Sequence, residues 1–338
     1  MDNLRISLSL ALIAKRHFAC VTNDYEQCVA QIKSLLAAHD DSLSFTEVDI
    51  LRDHKDLAQR MTQLGNKSVP VLHNLTVWKH LEKFPADIAA KNGMLDMFDE
   101  LEQCNTANAQ DSRGNEPTMF QVRNVVVPDI CIIVAIIVAG DSMPKINALV
   151  KEWFWFCQSV FFGKERLNEP EKCEWNLSEC RALLTKVHFA PDVREYVASL
   201  MVFTRSHRLT SLAPLTSRPT LRATEAIVEL ARALVAWNNR TSHNRLFVTP
   251  DYVKVAYRKV CYWLVDWETN ATFLSPTKES EHDRRMQISV LTGDWYGSEW
   301  PSVKGYLKKY ESTFDRKTTS GFRNKLVDDV LESVMPPL

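Results

Sequence analysis

Residues 18–36 read FACVTNDYEQCVAQIKSLL, and the fold turns on how that stretch divides. Phe18–Val21 is an apolar run of strand length. Asp24 can cap a helix, and Gln27, three residues on, can close a capping box. Cys28, Val29, Ile32, Leu35 and Leu36 then share one helical face. A strand therefore passes into a helix with little more than Asn23 and Asp24 between them.

The flanks extend the same alternation. Upstream, Ile6–Ala14 is apolar, but Asp2 precedes it, Lys15-Arg16 follows it, and no small-x-small pattern ends it. We read it as part of the fold and not as a signal peptide. Downstream, Leu43–Val48 alternates as a second strand and Val69–Leu72 reads as a third. Pro85 can open a helix faced by Ile88, Leu95, Phe98 and Leu101. Residues 103–118 are polar and aperiodic, a loop. Ile130–Ala139 reads as a buried strand, well short of the roughly 20 residues a membrane helix needs. Pro144 can then open a helix carrying Ile146, Leu149, Val150 and Trp153. Strand and helix in this order predict an α/β domain, a mostly parallel sheet with helices on both faces.

The second half reads as helical. Pro191 opens a segment with Val193, Tyr196, Val197, Leu200 and Met201 inward. Thr220 can cap a second, with Ile227, Leu230 and Leu234 inward. Thr249 and Pro250 start a third, with Val253, Ala256, Tyr257, Val260 and Leu264 inward. Residues 268–320 are polar, and a last short helix holds Leu326, Val327, Val330 and Leu331. The predicted organisation is an α/β domain over 1–165, a helical domain over 175–268, and a loop-rich extension over 269–338 that ends in a short helix.

Composition narrows the function. The chain has 338 residues, 45% hydrophobic and 25% charged, with a formal net charge of -1. No global field draws it to nucleic acid or membrane. Eight cysteines are unevenly spaced, and the closest pair, Cys173 and Cys180, matches no common zinc spacing. We expect reduced thiols and a cytoplasmic or nuclear protein, in which the sequons at Asn74, Asn176, Asn239 and Asn270 carry no sugar. The nine histidines are scattered and form no ligand set. No nucleophile elbow is present. We expect no metal and no cofactor.

The stretch from His188 to Asp266 carries a resemblance. It contains HFAPDVREYVASLMVFTRSHRLT, then Ala231-Arg232-Ala233, then Val248-Thr249-Pro250-Asp251-Tyr252-Val253. This resembles the helical lid of the MoxR and magnesium-chelatase branch of the AAA+ ATPases. The first half falls into register with that family's nucleotide domain. His17 and the strand after it are similar to the segment before the phosphate loop. Val69–Trp78 corresponds to the strand that carries the acidic pair. Val125–Ala139 and Asp141–Phe156 are similar to the strand and helix that follow. A narrower resemblance rests on Asp192–Thr210, the aromatics Trp153–Phe156 and the terminus Val334–Leu338. These are similar to the fungal family of maintenance of telomere capping protein 2, which implies an AAA-like shape and a link to telomere capping.

The chemistry of the larger family has no counterpart here. A phosphate loop needs glycines so that backbone N–H groups can wrap phosphates, a lysine for charge and a hydroxyl for magnesium. No glycine occurs before Gly65. The Gly163-Lys164 pair is followed by Glu165, and we read it as a surface turn. Where the acidic pair is expected stands His73-Asn74, which cannot hold magnesium as carboxylates do. Asp99-Glu100 falls on an amphipathic helix and reads as a solvated face. The arginine finger position reads Leu149-Val150-Lys151-Glu152-Trp153-Phe154. Arg222 matches the lid's sensor arginine. We expect no ATPase activity.

Two candidate surfaces remain. From Lys186 to Val260 there are 12 Lys plus Arg against 5 Asp plus Glu. Arg194, Arg205, His207, Arg208, Arg218 and Arg222 form a candidate basic patch for nucleic acid or an acidic partner. Trp295, Tyr296 and Trp300 form a candidate aromatic interface. Trp153, Trp155, Trp237, Trp263 and Trp267 read mostly as core. The expectation is a non-catalytic scaffold or adaptor with protein partners and no membrane. A nucleic-acid module using the basic lid and an active magnesium-chelatase-like ATPase are the alternatives.

Overall fold

The computed structural model describes residues 2–37, 43–50, 73–83, 120–122, 125–127, 131–139, 146, 148–162, 177–211, 219–240, 246–266, 300–311, 313–314 and 322–337. The expected strand at Val69–Leu72, the helix after Pro85, Asp99-Glu100, Gly163-Lys164, Arg218, Trp267, Trp295 and Tyr296 lie outside these residues, as does Cys173 of the closest cysteine pair.

The chain opens with helix α1 (Asp2–Ala14), where the apolar N-terminal run is buried. Strand β1 (Phe18–Thr22) follows and is buried throughout. Helix α2 (Tyr25–Ala37) buries Cys28, Val29, Ile32, Leu35 and Leu36, the face that the periodicity marks. Asp24 Oδ1 accepts from Gln27 N at 3.1 Å, so the cap forms. Its reciprocal arm is not the glutamine: the Asp24 amide instead donates to Thr22 Oγ1 at 3.2 Å.

Strands β2 (Leu43–Asp49), β3 (His73–Lys79), β6 (Cys131–Val138) and β7 (Cys157–Val160) join β1 in one sheet. The order is β2-β3-β6-β1-β7, and all four pairings are parallel. Two short strands, β4 (Phe120–Val122) and β5 (Val125–Val127), form a separate antiparallel pair.

The third strand corrects the sequence reading. It runs His73–Lys79, with His73 opposite Leu43, so His73-Asn74 lies within the strand and does not end it. Leu75, Thr76, Val77 and Trp78 are buried in it. The helix expected at Pro144 is described only as one turn, α3 (Ala148–Lys151), and Trp153 lies beyond it.

One face of the sheet, with Phe18, Cys20, Val77, Val134 and Ile136, belongs to a large core shared with α1, α2 and the helical half. The other, with Val21, Trp78, Ile133, Ala135 and Ile137, packs on Phe154 and Trp263. Phe154 meets both indoles edge-on, with centroids 6.4 Å from Trp78 and 6.4 Å from Trp263.

The helical half contains α4 (Leu177–Lys186), which periodicity did not single out, then α5 (Pro191–Ser206), α6 (Arg208–Ser211), α7 (Leu221–Asn238) and α8 (Pro250–Leu264). Thr220 and Thr249 stand at the caps of α7 and α8, but neither hydroxyl makes the capping bond. Trp155, Trp237 and Trp263 are buried. The polar stretch read as a loop holds α9 (Trp300–Tyr310), which also corrects Trp300: it opens a helix. The two-stranded β8 (Thr313–Phe314) and β9 (Phe322–Arg323) follow, then α10 (Lys325–Ser333). Here Asn324 supplies a true cap, its Oδ1 accepting from Leu326 N at 3.1 Å.

Candidate functional site

In a parallel sheet, ligands collect at the carboxyl ends of strands, where successive connections leave in opposite directions. That point here is the end of β1. Its own connection runs to β2 at the far edge, while β6 and β7 flank it on either side.

The chain's own groups occupy this point. Asn23 lashes the end of β1 to the segment after β7: its Oδ1 accepts from Phe162 N at 2.9 Å and its Nδ2 donates to Phe162 O at 3.0 Å. The carbonyl of Thr22 accepts from Ala139 N at 2.9 Å. A helix N-terminus attracts anions through its unsatisfied amides and its dipole. At α2 that role is filled from within. Asp24 holds the amide of Gln27 and its carbonyl accepts from Cys28 N. The anion at this helix end is therefore a carboxylate of the protein.

The strand ends toward β2 carry groups of both signs. Strand β3 ends at Lys79, whose Nζ lies 4.4 Å from the centroid of the Tyr25 ring, a cation–π contact. The Tyr25 hydroxyl donates to Glu47 Oε2 at 3.3 Å, and Lys33 Nζ meets Glu47 Oε1 at 2.7 Å. Burial, and then the Glu47 charge, push the Tyr25 phenol above its ordinary range, so it stays protonated. His80 follows with φ 65, a left-handed backbone that costs a side chain free energy. Its Nδ1 lies 3.1 Å from Asp49 Oδ1. The end of the third strand thus reads Trp78-Lys79-His80, with no acidic pair there.

The opposite end of the sheet joins it to the helical half. His17 precedes β1 and its Nδ1 accepts from the Ile133 amide at 3.0 Å. Burial, aided by Arg16, lowers its pKa to about 3, so the ring stays neutral and can accept. Arg16 makes a two-pronged pair with Glu229 of α7, at 2.9 and 2.8 Å. Trp155 Nε1 donates to Ala226 O at 2.8 Å, and Arg181 donates to Leu12 O at 2.7 Å. Lys151, nearly buried, pairs with Asp266 at 2.7 Å.

The candidate basic patch is divided among these places. Arg222 stacks over Trp153 at 4.2 Å beside Arg16 and His17, lining a cavity of about 60 Å³. It therefore sits at the amino end of β1, roughly 13 Å of strand from Asn23. Arg194 lies over Phe189 at 5.6 Å, near the start of α5. Arg205 and Arg208 are exposed near its far end, about 16 Å from Arg194 along the helix. His207 between them is half-buried, its ring 5.3 Å from that of Tyr310, and burial lowers its pKa. Among the described members only Arg205 and Arg208 are both exposed and close along the chain. Of the aromatic trio, Trp300 alone is described, as the first residue of α9.

Sequence reading missed Lys79, His80, Asp49 and Tyr25. The capping signal at Asp24 and the polar Asn23 were visible, but not the partner segment at Phe162, 139 residues away. Among the described residues no group of three or more His, Cys, Asp or Glu could hold a metal ion. Among them, too, no helix is long and apolar enough to cross a membrane.

No family model matches the chain, and no curated protein matches it in sequence. Among solved structures it is similar to a protein described as a putative ATPase from Cytophaga hutchinsonii ATCC 33406, at 14% identity and a TM-score of 0.51. The match covers 86% of this chain and 88% of the bacterial one. The fold is thus AAA+ ATPase-like: a mostly parallel five-stranded sheet with helices, followed by a helical half.

Proposed function

We propose that this chain is a non-catalytic scaffold or adaptor with an AAA+-like frame, working inside the cell in a complex with other proteins. The observation that carries the proposal is the end of β1. The Asn23–Phe162 pair and the Asp24 carboxylate stand where a phosphate loop would have to wrap a triphosphate. Lys79 and His80 stand where the third strand would have to offer carboxylates to magnesium. Hydrolysis needs both groups of residues, and their absence supports a protein that uses its shape. The resemblance of Asp192–Thr210, Trp153–Phe156 and Val334–Leu338 to the fungal telomere-capping family adds a process in which that shape would act. The exposed pair Arg205 and Arg208 supports only a small contact with nucleic acid or an acidic protein.

The test is direct. Purified full-length protein should show no saturable binding of ATP with magnesium by calorimetry and no phosphate release above a contaminant control. Affinity purification from cells should retain defined protein partners. Turnover that is lost on changing Lys79 and His80 to Ala would reverse the proposal in favour of an active ATPase. An oligonucleotide shift abolished by changing Arg205 and Arg208 to Ala would favour the nucleic-acid reading.

A further inference from the structure

A second cleft, of about 740 Å³, opens between α8, the edge strand β7, α9 and α10. Its size is typical of small-molecule sites, roughly 300–1,000 Å³. Its floor is a buried polar network. Gln158, buried, accepts at Oε1 from Ser7 Oγ at 3.2 Å and from Lys259 Nζ, and its Nε2 donates to Ser159 O.

The charge in the cleft is uneven. Asp328, which lines it, is taken up by Arg258 Nε at 3.0 Å and by the Tyr262 hydroxyl at 2.7 Å. Lys325 and Lys309 pair with Asp329 at 2.6 and 3.6 Å. Glu311 and Glu332, the other lining carboxylates, are exposed. Among the described residues no carboxylate pairs with Lys259 or with Arg323. Lys259 is half-buried, its Nζ held by the Gln158 amide oxygen and 5.7 Å from the Phe156 centroid. A desolvated ammonium without a counter-charge is costly, and an incoming anion relieves that cost. Tyr262, Val255 and Phe322 add apolar wall.

We infer that this cleft binds a small phosphomonoester, with Lys259 and Arg323 as the groups that recognise its charge. Two uncompensated cations match a phosphate dianion, and the apolar wall takes the organic part. Burial also lowers the pKa of Lys259 to about 8, which leaves about a fifth of the amine unprotonated at pH 7.4. That fraction makes the site readable by chemistry.

Pyridoxal 5′-phosphate is the probe, because it carries both a phosphomonoester and an aldehyde. The neutral amine condenses with the aldehyde, releasing water, and borohydride reduces the imine to a stable secondary amine. Peptide mapping of the full-length protein should show Lys259 labelled at least ~10-fold faster than the exposed Lys308. Inorganic phosphate should slow labelling at Lys259 and not at Lys308, while sodium chloride of equal ionic strength should not. Arg323→Gln should weaken that protection about tenfold with an unchanged melting curve. Equal labelling of Lys259 and Lys308, or no protection by phosphate, overturns the inference. Stronger protection by ATP with magnesium than by phosphate overturns the phosphomonoester assignment.

Discussion

The two ends of the sheet are built differently. At the amino end the bonds link distant parts of the chain and are buried or part-buried: His17 to Ile133, Trp155 to Ala226, Arg16 to Glu229. At the carboxyl end they are mostly exposed, with Asn23 on Phe162 and Asp24 on its own helix. The amino end fixes how the two halves meet, so changes there are felt globally. The carboxyl end can carry almost any polar solution that satisfies its amides. The carboxyl end of β1 is thus closed by the protein's own Asn23 and Asp24.

Perturbing each end in turn tests this contrast. The largest effect is expected where the halves share core. Trp263 is 1% exposed and its Nε1 donates to Lys151 O at 2.8 Å, so Trp263→Ala should cost about 3–5 kcal/mol in urea unfolding. Next is acid. His17 has a folded pKa of about 3 against 6.5 in the unfolded chain. The unfolded chain takes up the proton first, so stability is full above pH 6.5 and falls as pH drops toward 3. From pH 7 to pH 5 the loss should be about 2 kcal/mol. His17→Gln, which can still accept from the Ile133 amide, should remove most of that slope. A double-mutant cycle of Arg16→Ala with Glu229→Ala should return a coupling of about 1 kcal/mol. Asn23→Ala is expected to cost the least, about 0.5–1 kcal/mol, and to create no affinity for ATP. If Asn23→Ala proves more damaging than the Arg16–Glu229 cycle, the contrast between the ends fails.

Much of the frame was legible in the sequence. Phe18–Val21, the face Cys28–Leu36 and the inward sets of α5, α7 and α8 follow from period alone. The short passage from β1 to α2 is likewise a local fact. Three features escaped for physical reasons. The end of the third strand gives little signal, because Thr76 interrupts the apolar residues Leu75–Trp78 and Lys79 closes it. Helix α4 was missed because only Cys180 and Leu183 of it are buried, too few for a periodic signal. The basic patch looked continuous because its members are close along the chain. Arg222 nonetheless belongs with Trp153, and His207 turns inward. Lys259 had no signal at all: on α8 it flanks the buried set, and only the position of Gln158 gives it meaning.

The junction between the halves has a mechanical consequence. A hinge between the halves would let one swing while the other stays. Here Arg16–Glu229, Trp155–Ala226, Arg181–Leu12 and Lys151–Asp266 pin the would-be moving part at four separate spots. Swinging it would break all four at once. These four links hold the described parts of the two halves in one relative placement.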